Sequence, residues 1–268
     1  MNEDFLYTSI NNDSRKVFRL GLSATYRPGR KAIYKAVDSG VNLFFLFGID
    51  NQMISVTKDI MSINRDKYYI VTGAYNFIAG HFNYRKTLEK RLRQLNTDYI
   101  DFFFLLGVLR EKEFSEKSIE ELNKLKEEGK IRHIGLSTHN RKFAGQLADN
   151  GSVDTLMIRY NAAHRGAEQD IFPYIEKHKT NVISFTATRW RYLLRRPGKW
   201  PKEEPLPTAG MCYRFVLSNP NVNVCLTAPT NIKQLEANIA EVQKGPINKE
   251  ELEFMRKIGD AVYRKKRK

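Results

Sequence analysis

Cysteine is nearly absent from this chain. Only Cys212 and Cys225 occur in 268 residues, and no second pair or histidine spacing completes a zinc site. The two are read as inert core side chains, which leaves no disulfide framework and no metal centre. Also missing is any run approaching the roughly 18 apolar residues of a membrane span. The opening MNEDFLYTSINNDSRK is acidic and polar where an export signal is basic and then apolar, so a cytoplasmic location is expected. No HExxH or paired-carboxylate spacing points to a catalytic metal. Residues 23–30 (SATYRPGR) lack the glycine spacing with which an open doubly wound sheet grips a phosphate after its first strand.

What is present is a regular alternation. Short β-type runs recur at residues 17–24, 42–47, 68–74, 101–106, 133–137, 155–160, 181–186 and 223–227. Between them lie helical patterns with suitable stops: 30–39 closed by Gly40, 119–128 closed by Gly129, and 170–178. Strands alternating with helices imply a parallel sheet with covered strands, and eight units closing on themselves make a (β/α)8 TIM barrel, an α/β fold. One such domain is expected over 1–268. Residues 1–16 form an N-terminal extension, 187–209 a long loop over the barrel mouth, and 244–268 a C-terminal helix and basic tail.

The formal net charge is +15, and basic chains often meet nucleic acid. Its distribution argues against that partner. Charges are spread over stretches such as 84–95 (YRKTLEKRLRQL) and 115–130, with acids and bases mixed as on a solvated helix face, and no aromatic stacking platform or recognition motif accompanies them. Two basic clusters remain, 189–202 and the tail 264–268. The first lies in an irregular stretch rich in proline (Pro197, Pro201, Pro205, Pro207), of a length that is usually functional or mobile.

Four segments carry a family resemblance. GVNLFF (40–45), LRQLNTDYIDFFFLL (92–106), GKIRHIGLSTHN (129–140) and LTAPTNIKQLEANI (226–239) resemble the second strand, third helix and fourth strand, fifth strand, and eighth strand with its following helix of the aldo-keto reductase superfamily. The resemblance covers roughly residues 17–243. It implies hydride transfer from a nicotinamide to a small-molecule carbonyl, with an Asp and a Tyr after strand two, a Lys ending strand three and a His ending strand four. Hydride arrival leaves an alkoxide, so an acid must deliver a proton and its neighbours must ease that release.

Aligned on those motifs, the Asp position falls on Phe45, the Tyr position on Asp50, the Lys position on Gly73 and the His position on Leu106 or Gly107. The usual tetrad is therefore expected to be absent. Replacement acids near strand ends are Tyr75 and His139, with Tyr26, Asp50 and His164 also in reach; Asp50 reads equally as a helix cap. The resemblance puts Ser137 and Thr138 on the carboxamide, Phe185 under the pyridine ring, and Thr186, Thr188 and Arg189 near the pyrophosphate. Thr230, Gln234 and Asn238 fall on phosphate- and adenine-contacting positions. Met157 replaces a glutamine, and Pro229 and Gln234 replace commoner Ser and Arg. NADP(H) is the expected cofactor, with NAD(H) open. Arg165 reads either as a carboxylate or phosphate ligand or as a salt-bridge partner of Glu168 or Asp170. Two functions stay open: a reductase with a relocated proton donor, or a barrel that holds a nicotinamide or phosphate ligand without turnover.

Overall fold

The computed structural model describes residues 3–10, 13–23, 25–48, 50–75, 83–198 and 200–264. A short helix α1 (Glu3–Leu6) leads into an antiparallel hairpin, β1 (Tyr7–Ser9) with β2 (Lys16–Phe18). Then come eight parallel strands in a closed ring: β3 (Leu20–Ser23), β4 (Leu43–Phe45), β5 (Tyr69–Tyr75), β6 (Ile100–Val108), β7 (Ile131–Thr138), β8 (Thr155–Arg159), β9 (Asn181–Phe185) and β10 (Val224–Thr227), with β10 pairing back onto β3. Helices α2 (Arg30–Asp38), α3 (Asn51–Ile63), α4 (Tyr84–Leu95), α5 (Glu116–Glu127), α6 (Arg141–Asn150), α7 (Ala167–Asp170), α8 (Ala209–Leu217), α9 (Ile232–Val242) and α10 (Lys249–Arg264) complete the chain. This is the expected (β/α)8 barrel.

Local chemistry sets the joints. Asp50 is the N-cap of α3, its carboxylate accepting from the Met53 amide at 3.1 Å. Gly40, with φ of 94°, follows α2 in the left-handed conformation that a β-carbon disfavours. Two expectations need correction. The run at 17–24 is not one strand: it is divided at Arg19, whose buried guanidinium donates to the carbonyls of Phe5, Leu217, Val222 and Asn223, with β2 before it in the hairpin and β3 after it in the barrel. The helix expected at 170–178 is instead α7 followed by a 3-10 turn over Phe172–Tyr174, because Pro173 has no amide hydrogen to continue an α-helix.

Inside the barrel, Leu43, Tyr69, Val71, Phe102, Phe104, Leu106, Met157, Ile183, Val224 and Leu226 form one buried cluster, joined by Ile10 and Val17 of the hairpin. The hairpin thus plugs the N-terminal end. Beside it, fully buried Asp101 accepts from Arg65 at 2.7 Å, Arg15 at 3.1 Å and the Ile70 amide at 2.9 Å. Tyr99 is sandwiched between the Arg65 and Arg132 guanidiniums at 3.9 and 4.0 Å. Buried Arg214 ties α8 to Glu251 at 2.7 Å and Glu241 at 3.2 Å, anchoring α9 and α10. Among the described residues no helix is long and apolar enough to cross a membrane. Both cysteines are buried and unpaired, and burial pushes the Cys212 thiol up to about 12.

Candidate active site

The C-terminal mouth begins with aromatics. Phe45 ends β4 and stacks on Phe47 at 6.1 Å; Phe47 meets Tyr75, the last residue of β5, edge to face at 5.8 Å. Tyr75 is 42% exposed at the rim. Across from it β6 is irregular. Its register with β7 shifts between Leu105 and Val108, and Gly107 has φ of 74°. A β-carbon on Gly107 would stand 2.8 Å from Tyr75 Cζ and 3.0 Å from its hydroxyl. The phenol therefore fills the space that a side chain at the end of β6 would take. Bulges of this kind re-aim side chains beside active sites.

Two residues below Tyr75, Gly73 meets the backbone of β6 directly. A β-carbon there would lie 2.1 Å from the Phe104 carbonyl oxygen. No larger residue fits this position in this barrel.

On the opposite side, Ser137 shares the inward side of β7 with Gly135 and is half-buried, its hydroxyl without a protein partner among the described residues. Thr138 points the other way, its hydroxyl accepting from the Asn140 amide at 3.0 Å. His139 packs its ring on Phe185 at 5.8 Å, and partial burial followed by the nearby Arg159 charge holds the imidazole below its usual range. Phe185 is half-buried and closes the top of the interior cluster. Thr186 is left-handed (φ of 58°) with a buried hydroxyl that finds no partner among the described residues. Two other hydroxyls share that condition, Thr155 and Thr180, at the other end of the barrel. Asn161 clamps the strained turn by donating to the Thr186 carbonyl at 2.9 Å. Left-handed Arg189, Trp190 and Arg191 follow, and such clusters of backbone strain gather at functional sites.

The expected phosphate side is largely engaged with itself. Thr188 accepts from the Arg191 amide. Arg189 is 4% exposed and donates to the Val262 carbonyl, which makes it a clamp on α10 instead of a free charge on the loop. Gln234 turns its side chain back to accept from the Thr230 amide at 3.0 Å, and buried Asn238 donates to Thr227 at 3.2 Å. Arg165 pairs with Asp260 of α10 at 2.6 Å, not with Glu168 or Asp170; Glu168 pairs with Arg256 instead. The sequence shows α10 but not the strand end it returns to, so this partner could not be chosen from spacing. Among the described residues no group of three or more His, Cys, Asp or Glu could hold a metal ion. The tail beyond Arg264 lies outside the described residues.

One residue went unnoticed in the sequence. Arg159 ends β8 on the same side as buried Met157, which faces the interior. A charge at an inward position of a strand end was the available signal.

Comparison with known proteins now fits this geometry. The sequence profile of the Aldo/keto reductase family matches residues 61–196, just over half of the chain, and the chain belongs to that family. The uncharacterized oxidoreductase YqkF of Bacillus subtilis is 23% identical over 197 residues, covering 64% of this chain and 64% of that protein. Methylglyoxal reductase YeaE of Escherichia coli is 30% identical over 165 residues, covering 59% of this chain and 50% of its own length. The match thus spans between half and two thirds of these relatives. Aldo-keto reductase AKR11C1 from Bacillus halodurans, in its holo form, superposes with a TM-score of 0.78 at 20% identity, over 95% of this chain and 96% of that one. An aldo/keto reductase from Klebsiella pneumoniae, solved in complex with NADP and acetate, gives 0.72 at 22% identity over 91% and 92%. At such identities these two establish a shared fold.

Proposed function

We propose that this barrel binds NADP(H) at its C-terminal mouth and reduces a small carbonyl compound, with Tyr75 as the proton donor. Family membership supports the reaction class, and the Klebsiella pneumoniae relatives solved with NADP and NADPH support the cofactor. The residues present fit such a group: at the pyridine end Phe185 offers a ring face and Ser137 a hydroxyl for the carboxamide, and towards the pyrophosphate Thr186 has a buried hydroxyl that lacks a partner among the described residues. NAD(H) is the alternative cofactor, because Arg189 and Gln234 are held in internal contacts and bring no free charge to a 2′-phosphate. When bound, a reduced nicotinamide supplies hydride. The chain's own residues do the rest.

The observation that carries this reading is the Tyr75 phenol seated over Gly107, in the space at the end of β6. Its hydroxyl would give a proton to the carbonyl oxygen as that oxygen gains charge, while Phe45 and Phe47 shield the face from water. His139, its imidazole held below its usual range first of all by burial, would orient the substrate. A binding barrel without turnover is the competing reading, favoured by Gly73, whose contact with Phe104 excludes the lysine that would ease proton release from the phenol.

One experiment separates them. NADPH should quench exposed Trp190 in either case, and a panel of aldehydes and ketones should oxidise it only if the first reading holds. Tyr75→Phe should then lower kcat by about 10² to 10⁴, the usual cost of losing a general acid. Unchanged kcat in Tyr75→Phe would remove Tyr75 from the mechanism, and quenching without turnover across the panel would leave the binding barrel.

A further inference from the structure

The described arginines that are buried or half-buried are engaged, with one exception. Arg15, Arg65 and Arg132 gather on Asp101; Arg19 donates to backbone carbonyls, Arg91 to the Gly48 carbonyl and Arg189 to that of Val262; Arg165, Arg214 and Arg256 pair with carboxylates. Among the described arginines that are buried or half-buried, Arg159 alone has neither a hydrogen bond nor an ion pair. A half-buried guanidinium without a partner is costly, and proteins rarely leave one so without a ligand.

Its surroundings form a crevice. At the C-terminal rim, the ends of β7 and β8 and the segments at α6 and α7 enclose a small cavity of about 10 Å³, lined by Thr138, His139, Arg141, Ile158, Arg159, His164 and Ile171. That volume admits about one water-sized atom, which suits the leading oxygen of an acid group and excludes a ring. Arg141 is fixed at its edge: Nε donates to Asp170 at 2.6 Å, and the guanidinium lies so close to Gly166 that a β-carbon there would be 2.5 Å from Cζ. Asp170 thereby offsets Arg141 and leaves the Arg159 charge uncompensated. Burial, then the charges of Arg141 and Arg189, depress the Arg159 guanidinium; only the Tyr263 phenol acts the other way. His164 is turned towards Asn161, its Nδ1 3.2 Å from Oδ1. His139 bridges this crevice to the mouth through its contact with Phe185.

We propose that this crevice is an oxyanion site, in which Arg159, with Arg141 beside it, holds a carboxylate or phosphate group. If the proposed reductase reading also holds, on which this last step rests, the substrate is a carbonyl compound bearing an acid group, anchored at Arg159 with its carbonyl towards Phe185 and Tyr75. The anion site itself needs no turnover.

The test uses the full chain without nicotinamide. Inorganic phosphate and acetate are each titrated by calorimetry, with the His139 ring signals followed by NMR. Saturable binding of at least one anion is expected, with the His139 signals moving. Arg159→Gln should weaken it at least about tenfold, as loss of a charge-assisted contact does, and Arg159→Lys should retain part of it. The tighter of the two anions identifies the acid group. Absence of saturable binding at millimolar concentration, or equal affinity in Arg159→Gln, overturns the proposal. Trp190 quenching by NADPH is measured on the same samples. If quenching fails while the Arg159 dependence holds, the nicotinamide reading falls and the anion site stands.

Discussion

Placing a side chain at position 73 should cost the protein stability. In the structure a β-carbon on Gly73 would stand 2.1 Å from the Phe104 carbonyl oxygen and 2.9 Å from Phe104 Cβ, about 1 Å or more inside van der Waals contact. Phe104 cannot yield easily. It is fully buried, and its ring occupies the place of a side chain at Gly135, where a β-carbon would come within 2.5 Å of the ring. Relief therefore means parting β5 from β6, which pair from Val71 with Phe102 to Tyr75 with Leu106. Overpacking costs about 1 to 3 kcal/mol, and each ladder hydrogen bond strained adds about 1, so Gly73→Ala should destabilise by about 3 to 5 kcal/mol. At about 2 to 4 °C per kcal/mol for a domain near this size, Tm should fall by about 6 to 20 °C. Urea unfolding followed by circular dichroism measures the loss directly. Gly73→Lys should be no better, since the clash begins at the first carbon of either side chain. A Gly73→Ala variant within about 0.5 kcal/mol of the parent, the range of an ordinary surface substitution, would refute this reasoning.

Two further outcomes follow from the barrel's other end and from its histidines. Asp101→Asn removes the charge on which Arg15 and Arg65 converge, and breaking a buried ion pair on one side should cost about 3 to 5 kcal/mol by urea unfolding; a loss under about 1 kcal/mol would mean that water reaches the pair. Burial, first of all, lowers the affinity of His133 and His139 for protons relative to the ordinary value near 6.5. The unfolded chain then binds more protons, so the contribution is complete above about pH 6.5 and is lost as pH falls from there towards the folded values. Tm measured across that window should decline, and a His133→Asn, His139→Asn double variant should decline less steeply; identical slopes would remove both histidines as the cause.

The barrel was legible because its signals are repeated. Apolar runs return at barrel spacing, and joints such as Asp50 before α3 and Gly40 after α2 carry their own chemistry. The hairpin was not, because Lys16–Phe18 and Leu20–Ser23 read as one run until Arg19 is seen drawing chain carbonyls around itself. At the site, the sequence shows which residues occupy the strand ends but not how they pack. That Tyr75 lies on Gly107 depends on a bulge in β6, and that Gln234 and Asn238 are bonded inward depends on α9 meeting β10. Arg159 was missed for a different reason: a lone arginine at a strand end reads as a solvated rim charge until its want of a partner is visible.

The two ends of this barrel answer to different demands. The N-terminal end and the middle layers carry the tightly bonded parts: the hairpin plug, the Asp101 cluster, and the interlocking of Gly73 and Gly135 with Phe104. Change there is resisted by packing. At the mouth, Tyr75, Phe47 and Trp190 are each more than two fifths exposed, so substitutions among them meet little resistance from the core. The glycine at 73 belongs to the first regime although it faces the second. With Phe104 filling the layer beside it, a lysine at position 73 would have to move β6, so in the proposed reaction proton delivery falls to residues above that layer. Tyr75, two places further along the same strand, is the donor that the proposal assigns there. On the two proposals made above, a substrate that brings its own charge to Arg159 would gain orientation without a new cation at the mouth, so the proposed anion crevice and the proposed donor are consistent parts of one arrangement.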